Sequence, residues 1–226
     1  MSKLTPRQER GSLIVFEGLD RSGKSTQCEK LVENLQSHGK HVEHMRFPNR
    51  TTPIGQMINN YLSGQSQQED HVIHLLFSAN RWESAQNIED LINAGTTVVI
   101  DRYYYSGCVY SAAKQNPSLG LKWCRQPEVG LPRPDLCLFL DLDADEAAKR
   151  GGFGEERYEK AEMQARVRQL FAELQTYEDE REDMVVMDAS GSVTVVEENI
   201  RKAVEDRLKT TGQGERVPLR HVRALR

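Results

Sequence analysis

The sequence lacks the features that mark secreted, membrane and zinc-finger proteins. Its four cysteines are scattered and form no C-x-x-C pair, which suits reduced thiols in the cytosol or nucleus. The longest apolar runs, such as residues 136–140, are far too short to cross a bilayer. No charged segment followed by an apolar one opens the chain, so secretion is not indicated. We therefore expect a protein of the cytosol, or also of the nucleus, without a membrane partner.

An excess of basic charge is also missing. The 226 residues carry a formal net charge of −4, which disfavours broad nucleic-acid binding. With 38% hydrophobic and 28% charged residues, the composition is that of one globular domain. The ends of the chain offer little apolar material. We expect a flexible segment over residues 1–11, a single domain over residues 12–210 and a flexible basic tail over residues 211–226.

A phosphate-binding loop is the most informative pattern that is present. Residues 18–25 read G-x-x-x-x-G-K-S, after a short apolar run and before residues at helical spacing. Strand, loop and helix in that order direct backbone N–H groups and a helix N-terminus at a polyanion. The Lys24 ammonium suits the β- and γ-phosphates, and the Ser25 hydroxyl can ligate Mg²⁺. The predicted ATP-binding residues here are Gly18, Arg21, Ser22, Gly23, Lys24, Ser25 and Thr26.

Apolar runs and helical spacings alternate along the rest of the chain. This alternation predicts an α/β fold with a parallel sheet covered on both faces. Strands are predicted at residues 41–47, 96–102, 136–141 and 184–187. Helices are predicted at residues 53–63, 69–93, 143–150, 156–182 and 193–208. In the second of these, one side carries Val72, Leu75, Leu76, Ala79 and Trp82.

Two clusters are expected beside the phosphate loop. Asp101 and Arg102 end a predicted strand, where Asp101 could hold Mg²⁺ and Arg102 a phosphate. The alternative is an acidic strand end beside a surface ion pair. Residues 151–157 are rich in glycine and flanked by cations, as a closing lid requires. The alternative there is an ordinary loop between helices.

A third cluster is Phe77 with Arg81, four residues apart on one helix face. An aromatic plane beside a guanidinium suits a flat base, although an aromatic residue at helical spacing is more often part of the core. His71 and His74 are three residues apart rather than the four of a helical zinc pair, so they are interpreted as part of a helix face. The chain has no N-K-x-D motif, which disfavours a GTPase switch.

Taken together, these motifs resemble those of eukaryotic-type thymidylate kinases, within the P-loop nucleoside monophosphate kinases. The resemblance covers residues 11–208 and depends on R-F-P-N-R at 46–50, L-F-S-A-N-R-W-E at 76–83, D-R-Y at 101–103 and G-L-P-R-P-D at 130–135. It implies Mg²⁺-dependent, direct in-line transfer of the ATP γ-phosphoryl group to dTMP, giving dTDP for dTTP synthesis. It also implies a P-loop NTPase fold with a five-stranded parallel sheet, a short lid near residues 150–157, and a homodimer.

The resemblance implies roles for single residues. Phe77 would stack on thymine and Arg81 would hydrogen-bond its edge, while Arg50 and Arg102 would hold the dTMP phosphate. Asp20 would contact the sugar 3′-hydroxyl, and Tyr158 would lie near the sugar C2′. Other residues assigned to the dTMP site are Phe47, Pro48, Ser106, Gly107 and Tyr110.

The catalytic set implied by the resemblance is Arg21, Lys24, Asp20 and Arg102, with Ser25 and Asp101 at the metal. Arg150 and Ala189 would complete the ATP site. Two rival functions remain open on the sequence. One is a kinase for another pyrimidine monophosphate or for a nucleoside. The other is a P-loop protein that binds nucleotide and only signals or scaffolds.

Overall fold

The computed structural model describes residues 9–143, 146–147, 157–158, 160–211 and 218–226. Within them, five strands form one parallel sheet in the order β2-β3-β1-β4-β5. The strands are β1 (Leu13–Gly18), β2 (Val42–Arg46), β3 (Thr97–Asp101), β4 (Leu136–Asp141) and β5 (Met184–Asp188). The predicted fold class, a P-loop NTPase-type parallel sheet with helices on both faces, is confirmed.

The helices lie between and after the strands. Five come before β4: α1 (Lys24–Ser37), α2 (Pro53–Leu62), α3 (Asp70–Asn93), α4 (Tyr104–Ala112) and α5 (Leu121–Arg125). A 3₁₀ turn, Gln126–Glu128, follows α5 directly. The remaining ones in the described parts of the chain are α6 (Ala161–Leu174), α7 (Glu178–Asp183) and α8 (Val193–Thr211).

The central strand β1 separates two hydrophobic layers. Leu13 and Val15 pack into one layer and Ile14 and Phe16 into the other, because successive side chains of a strand point to opposite faces. The first layer meets α3, α4 and α6, and the second meets α1 and α8. Burial on both faces explains why β1 is a continuous apolar run rather than an alternating one.

Local signals fix the helix starts near the site. Thr52 accepts a hydrogen bond from the Gly55 N–H at 3.0 Å, and Pro53 takes the first helical position of α2. Glu69 accepts hydrogen bonds from the first N–H groups of α3. Both helices begin where the sequence predicts. Of the predicted helix over residues 143–150, residues 143, 146 and 147 are described, and residues 146 and 147 are helical.

The predicted long helix over residues 156–182 is wrong in its second half. The chain forms α6 and α7 instead, with Tyr177 in an extended conformation between them. No glycine or proline marks the break. It follows from two buried ion pairs, in which Glu180 meets Arg125 and Asp183 meets Arg133, because a continuous helix would not direct both carboxylates inward.

The parts of the two ends that the structure describes pack against the domain. Val222 and Leu225 are buried, and Val222 exchanges backbone hydrogen bonds with Gly130 and Leu131. Arg220 pairs with Asp183 at 2.7 Å. At the other end, Arg10 pairs with Asp135 at 2.7 Å. The described part of the C-terminal segment is therefore held by two buried apolar side chains together with an ion pair. Residues 1–8 and 212–217 lie outside the described residues.

Candidate active site

The phosphate loop (residues 18–25) opens into a cavity of about 790 Å³ at the carboxyl ends of the strands. Gly18 and Gly23 have φ angles of 142° and 90°, a region that favours glycine. A Cβ on Gly18 would lie 2.5 Å from the Leu140 carbonyl oxygen. The glycines are therefore required by the turn and by the neighbouring strand β4.

Lys24 lies inside the loop with its side chain buried. Its ammonium donates hydrogen bonds to the Leu19 carbonyl oxygen and, at 3.3 Å, to Ser22 Oγ. Burial, together with the nearby charge of Arg102, lowers the pKa of Lys24 to about 7 against the opposing effects of Asp20, Asp101 and Glu17. The loop thus holds an amine whose charged form a bound anion would favour.

Ser25 and Asp101 meet at the edge between β1 and β3. The Ser25 hydroxyl donates to Asp101 Oδ2 at 2.6 Å, and the register pairs Asp101, the last residue of β3, with Phe16 in β1. Asp101 Oδ1 is buried and has no hydrogen-bond partner. One hydroxyl and one carboxylate, completed by phosphates and water, suit Mg²⁺. No group of three or more His, Cys, Asp or Glu side chains that could hold a metal occurs among the described residues.

Arg102 connects the loop to the opposite wall. Its Nη1 donates to the Gly18 carbonyl oxygen at 3.2 Å and to Ser106 Oγ at 3.0 Å, and its Nη2 pairs with Asp20. Burial raises the pKa of Asp20, but the charges of Arg102 and Lys24 outweigh burial and lower it overall. Asp20 is therefore an anion placed among cations.

Arg102 and Arg21 share an unusual backbone conformation. Their φ angles are 65° and 67°, which side chains other than glycine seldom adopt. Such positions cost free energy and concentrate at functional sites. Both guanidinium groups line the cavity, so the backbone strain coincides with the side chains that reach an anion there.

The aromatic end of the cavity consists of Phe77, Arg81, Gly107, Tyr110 and Tyr158. Arg81 is buried and donates from Nε to Glu128 Oε2 at 2.9 Å and from Nη2 to Oε1. A Cβ on Gly107 would lie 2.6 Å from the Arg81 Nη2, so the guanidinium rests on bare backbone. Phe77 lines the cavity and also packs against a small hydrophobic cluster that contains Ile58. It is therefore placed both to face a ligand and to form part of the core.

Tyr158 forms part of the wall at this end of the cavity. Its ring lies 5.6 Å from that of Tyr110, centroid to centroid, and its hydroxyl is 3.4 Å from the Tyr61 hydroxyl. Arg157, one of the predicted lid cations, lies with its guanidinium 4.2 Å above the Tyr61 ring. Arg150 and residues 151–156 of the predicted lid lie outside the described residues.

The loop end of the cavity (residues 20–26 with residues 189–193) combines the charged residues of the phosphate loop with small and apolar residues that follow β5. Ala189 is buried, and its N–H donates to the Asp141 carbonyl oxygen at 2.9 Å. Gln27 donates to the Val193 carbonyl oxygen at 3.0 Å and so fixes the start of α8 against α1. Ala189 and Val193 thus provide apolar surface beside the phosphate loop.

Comparison with known proteins identifies the family. A sequence model described as thymidylate kinase matches residues 16–200. The human thymidylate kinase is 50% identical over 201 residues, covering 89% of this chain and 93% of its own. The Schizosaccharomyces pombe enzyme is 52% identical over 195 residues, covering 86% and 91%. The chain belongs to the thymidylate kinase family.

A solved thymidylate kinase structure shows the same fold. The Candida albicans enzyme matches with a TM-score of 0.85 and 38% sequence identity, over 96% of this chain and 100% of that one. The predicted family and the predicted class of enzyme are confirmed.

Most of the predicted site residues meet at the cavity. Two are not among its lining: Gly18, which forms the floor of the loop, and Arg150, which lies outside the described residues. The rest line it, namely Asp20, Arg21, Ser22, Gly23, Lys24, Ser25, Thr26, Phe47, Pro48, Arg50, Phe77, Arg81, Asp101, Arg102, Ser106, Gly107, Tyr110, Tyr158 and Ala189. The sequence prediction of one shared site therefore agrees with the geometry.

Three residues that hold the site were missed. Glu17 is buried and accepts hydrogen bonds from the N–H groups of Tyr103 at 2.8 Å and Ser106 at 3.0 Å; burial raises its pKa despite the charge of Arg102. Gln164 donates to Asp20 Oδ2 at 2.6 Å. Glu128 fixes Arg81. Only Glu17, inside the strand that carries the loop, offered a signal: a carboxylate in an otherwise apolar strand.

Proposed function

We propose that this enzyme transfers the γ-phosphoryl group of ATP to dTMP. The observation that carries the proposal is a single cavity that joins the phosphate loop to the aromatic end, with the Arg102–Asp20 pair between them. Two nucleotides bound with their bases at opposite ends would bring their phosphates together at this pair. Family membership supports dTMP as the acceptor.

The loop end would hold ATP. Backbone N–H groups of the loop and the N-terminus of α1 would take the phosphates, and Lys24 would reach the β- and γ-phosphates. Ser25 and Asp101 would hold Mg²⁺, with Asp101 Oδ1 as the open oxygen. When bound, the ion would neutralise charge on the β- and γ-phosphate oxygens. Ala189 would lie beside the adenine, and the predicted role of Arg150 is contact with ATP.

The aromatic end would hold dTMP. Phe77 would stack on the thymine ring, Arg81 would donate to its edge, and Tyr110 would close the pocket. Phe47 and Pro48 form the side wall, where Phe47 is buried against Tyr103 with ring centroids 5.8 Å apart. Tyr158, above the pocket, would crowd a 2′-hydroxyl and so disfavour ribose.

The acceptor phosphate would lie between the two ends. Arg50 and Arg102 would hold it, and the Ser106 hydroxyl oxygen accepts a hydrogen bond from Arg102. Asp20 would accept from the sugar 3′-hydroxyl, a role that fits its lowered pKa because the carboxylate stays ionised and can accept. Gln164 and Tyr110, which also donate to Asp20, orient it for that contact.

The chemical step would be direct in-line transfer without a covalent enzyme intermediate. The acceptor is already an anionic phosphate, so no side chain needs to remove a proton to create a nucleophile. The contribution of the protein is positioning and neutralisation of spread negative charge, by Lys24, Arg21 and Arg102. The dTDP formed is one phosphoryl group short of dTTP.

A panel of acceptors tests the proposal. ADP release from ATP is measured with dTMP, UMP, CMP, AMP and thymidine in turn, with and without Mg²⁺. Release with dTMP above the other acceptors, and only with the metal, is expected. Faster release with another acceptor would reassign the substrate, and release with none would favour a protein that only binds nucleotide.

We also propose that two copies pair through α3. Among the side chains grouped on one side of this helix in the sequence, Val72 is 44%, Leu75 47% and Trp82 42% exposed. An apolar helix face of this kind is typical of a protein interface. Light scattering after size exclusion should give twice the chain mass of 25.8 kDa, and Leu75→Glu should halve it. A monomeric wild type would contradict the pairing.

None of the helices in the described part of the chain has the length and apolar character of a membrane span.

A further inference from the structure

A buried chain of hydrogen bonds ends at the aromatic end of the cavity and is not used by the proposed roles above. His74 on α3 is fully buried. Its Nδ1 lies 2.8 Å from Ser111 Oγ on α4, and its Nε2 lies 2.9 Å from the Cys124 carbonyl oxygen on α5. Ser111 lines the cavity. The chain therefore connects a backbone carbonyl in the interior to a hydroxyl at the cavity wall.

The direction of these hydrogen bonds is fixed by their inner end. A carbonyl oxygen can only accept, so Nε2 of His74 carries the hydrogen and donates to Cys124. Burial lowers the pKa of His74 to about 4. The charge of Glu128 favours the protonated ring, but less strongly than burial disfavours it, and the charge of Arg81 adds to the effect of burial. The ring is neutral near pH 7. Its Nδ1 is then a lone pair that accepts the hydroxyl hydrogen of Ser111 at 2.8 Å.

This arrangement makes the Ser111 oxygen an acceptor toward the cavity. Gly107 lies four residues earlier on the same face of α4, and the Arg81 guanidinium rests on Gly107. Glu128 takes Nε and Nη2 of Arg81, which leaves Nη1 as the nitrogen not engaged by that carboxylate. A donor and an acceptor are therefore placed next to each other on one wall.

We propose that Ser111, oriented by His74, determines which pyrimidine edge the site accepts. The pair of an Arg81 donor and a Ser111 acceptor matches an imide edge, in which a carbonyl oxygen stands beside an N–H, as in thymine and uracil. Cytosine presents the reverse pattern, an amino group beside a ring nitrogen lone pair. The inference rests on the proposed function, because it assigns the base edge read at the same site.

The Arg81 donor and the Ser111–His74 acceptor are both held by one segment of the chain, residues 124–128. Cys124 holds His74 through its carbonyl, and Glu128, four residues later, holds Arg81. His74 and Arg81 are themselves seven residues apart, two turns of α3, and so share a face. The donor and the acceptor thus move together, which is required if they are to read two adjacent atoms of one ring.

Ser111→Ala tests the acceptor directly. Steady-state kcat and KM are measured for dTMP, dUMP and dCMP. We expect kcat/KM for dTMP to fall about tenfold, through KM, since one hydrogen bond to the base is lost. The dTMP to dUMP ratio should stay within about twofold of wild type, because both bases share the imide edge. The dTMP to dCMP ratio should fall about tenfold or more.

His74→Phe tests the orienting role while Ser111 remains. The ring volume is nearly kept, but the Ser111 hydroxyl is released and can rotate to donate to a cytosine lone pair. We expect the dTMP to dCMP ratio to fall about tenfold, with a folded protein by thermal unfolding. Ser78→Ala is the matched control. Ser78 is also buried on α3 and donates to the Pro127 carbonyl oxygen at 3.0 Å, but it does not line the cavity, so the ratio should not change.

The outcomes separate this inference from the function on which it rests. If wild type phosphorylates dTMP and both variants keep its dTMP to dCMP ratio, the inference is wrong and the function stands. If His74→Phe does not fold, Ser111→Ala decides alone. If wild type does not phosphorylate dTMP, the function is wrong. Equal dissociation constants for dTMP and dCMP in titration calorimetry would then overturn the inference as well.

Discussion

At the aromatic end of the cavity the recognition groups are buried side chains, whereas at the loop end they are mostly backbone. Arg81 is 2% exposed and held by a carboxylate that is fully buried. At the loop end, Val193 is 51% exposed, and the proposed phosphate contacts are the N–H groups of residues 20–26 together with Lys24. In the proposed function, one end tells ligands apart and the other holds a phosphate chain.

The difference has a physical basis. Backbone N–H groups are the same in every residue, so a glycine loop recognises phosphate but reads nothing about the attached base. A fixed guanidinium with a defined open nitrogen rejects the wrong pattern of donors and acceptors, because a mismatch leaves buried polar groups unpaired. Substitutions at the loop end should therefore change rates, and those at the aromatic end should change which substrate is used.

The largest expected effect is that of Arg21→Ala, at the loop end. Turnover should fall about a thousandfold, because a guanidinium that neutralises charge in the transition state is lost. The dissociation constant for ATP should change only a few-fold, since the loop backbone remains. Single-turnover rates and ATP titrations give the two numbers separately. Near-normal turnover with weak ATP binding would reverse the assignment.

A second variant separates the side chain from the strained backbone. Alanine at a φ of 67° keeps the strain, whereas Arg21→Gly relieves it. If both variants lose turnover alike, the guanidinium is responsible. Recovery in the glycine variant alone would assign the effect to the backbone instead. Arg201→Ala, which removes an exposed arginine on α8, controls for the loss of one positive charge and should leave turnover unchanged.

The sequence predicted what depends on short spacings. The phosphate loop, Asp101 at a strand end and the pair Phe77 and Arg81 are each encoded within a few neighbouring residues. The Arg81–Glu128 pair joins residues 47 positions apart, and nothing near Glu128 indicates its partner. The break between α6 and α7 and the docking of Val222 were missed for the same reason. Each is decided by ion pairs and packing with distant segments, which leave no local pattern.

Glu128→Gln should have the next largest effect and tests the aromatic end. The change keeps the side-chain volume but leaves the buried Arg81 charge without a counter-charge, which should lower the free energy of unfolding by about 3 kcal/mol. The KM for dTMP should rise at least about tenfold, because the fork that aims Arg81 is weakened. Chemical denaturation and steady-state kinetics measure the two effects.

The Arg125–Glu180 pair provides a matched control. It is as deeply buried as the Arg81–Glu128 pair, but neither residue lines the cavity. Glu180→Gln should therefore lower stability by a similar amount and leave the KM for dTMP unchanged. If both variants raise KM equally, the Glu128 effect is general destabilisation and the contrast between the two ends loses its support.

The smallest expected effect is a proton taken up at the loop end when ATP binds. Burial lowers the pKa of Lys24 to about 7, so with no anion bound about nine-tenths of the side chains are neutral at pH 8. The ATP phosphates favour the ammonium and raise that pKa, so binding should take up nearly one proton at pH 8 and only about a tenth at pH 6. Calorimetry in buffers of different ionisation enthalpy counts the protons. Lys24→Met removes this uptake and leaves only the titration of ATP itself.

Binding of dTMP should take up far fewer protons. Its phosphate would lie on Arg50 and Arg102 and its base at the aromatic end, and arginines stay charged in both states. Equal uptake with the two ligands would mean that the ends of the cavity are not electrostatically distinct.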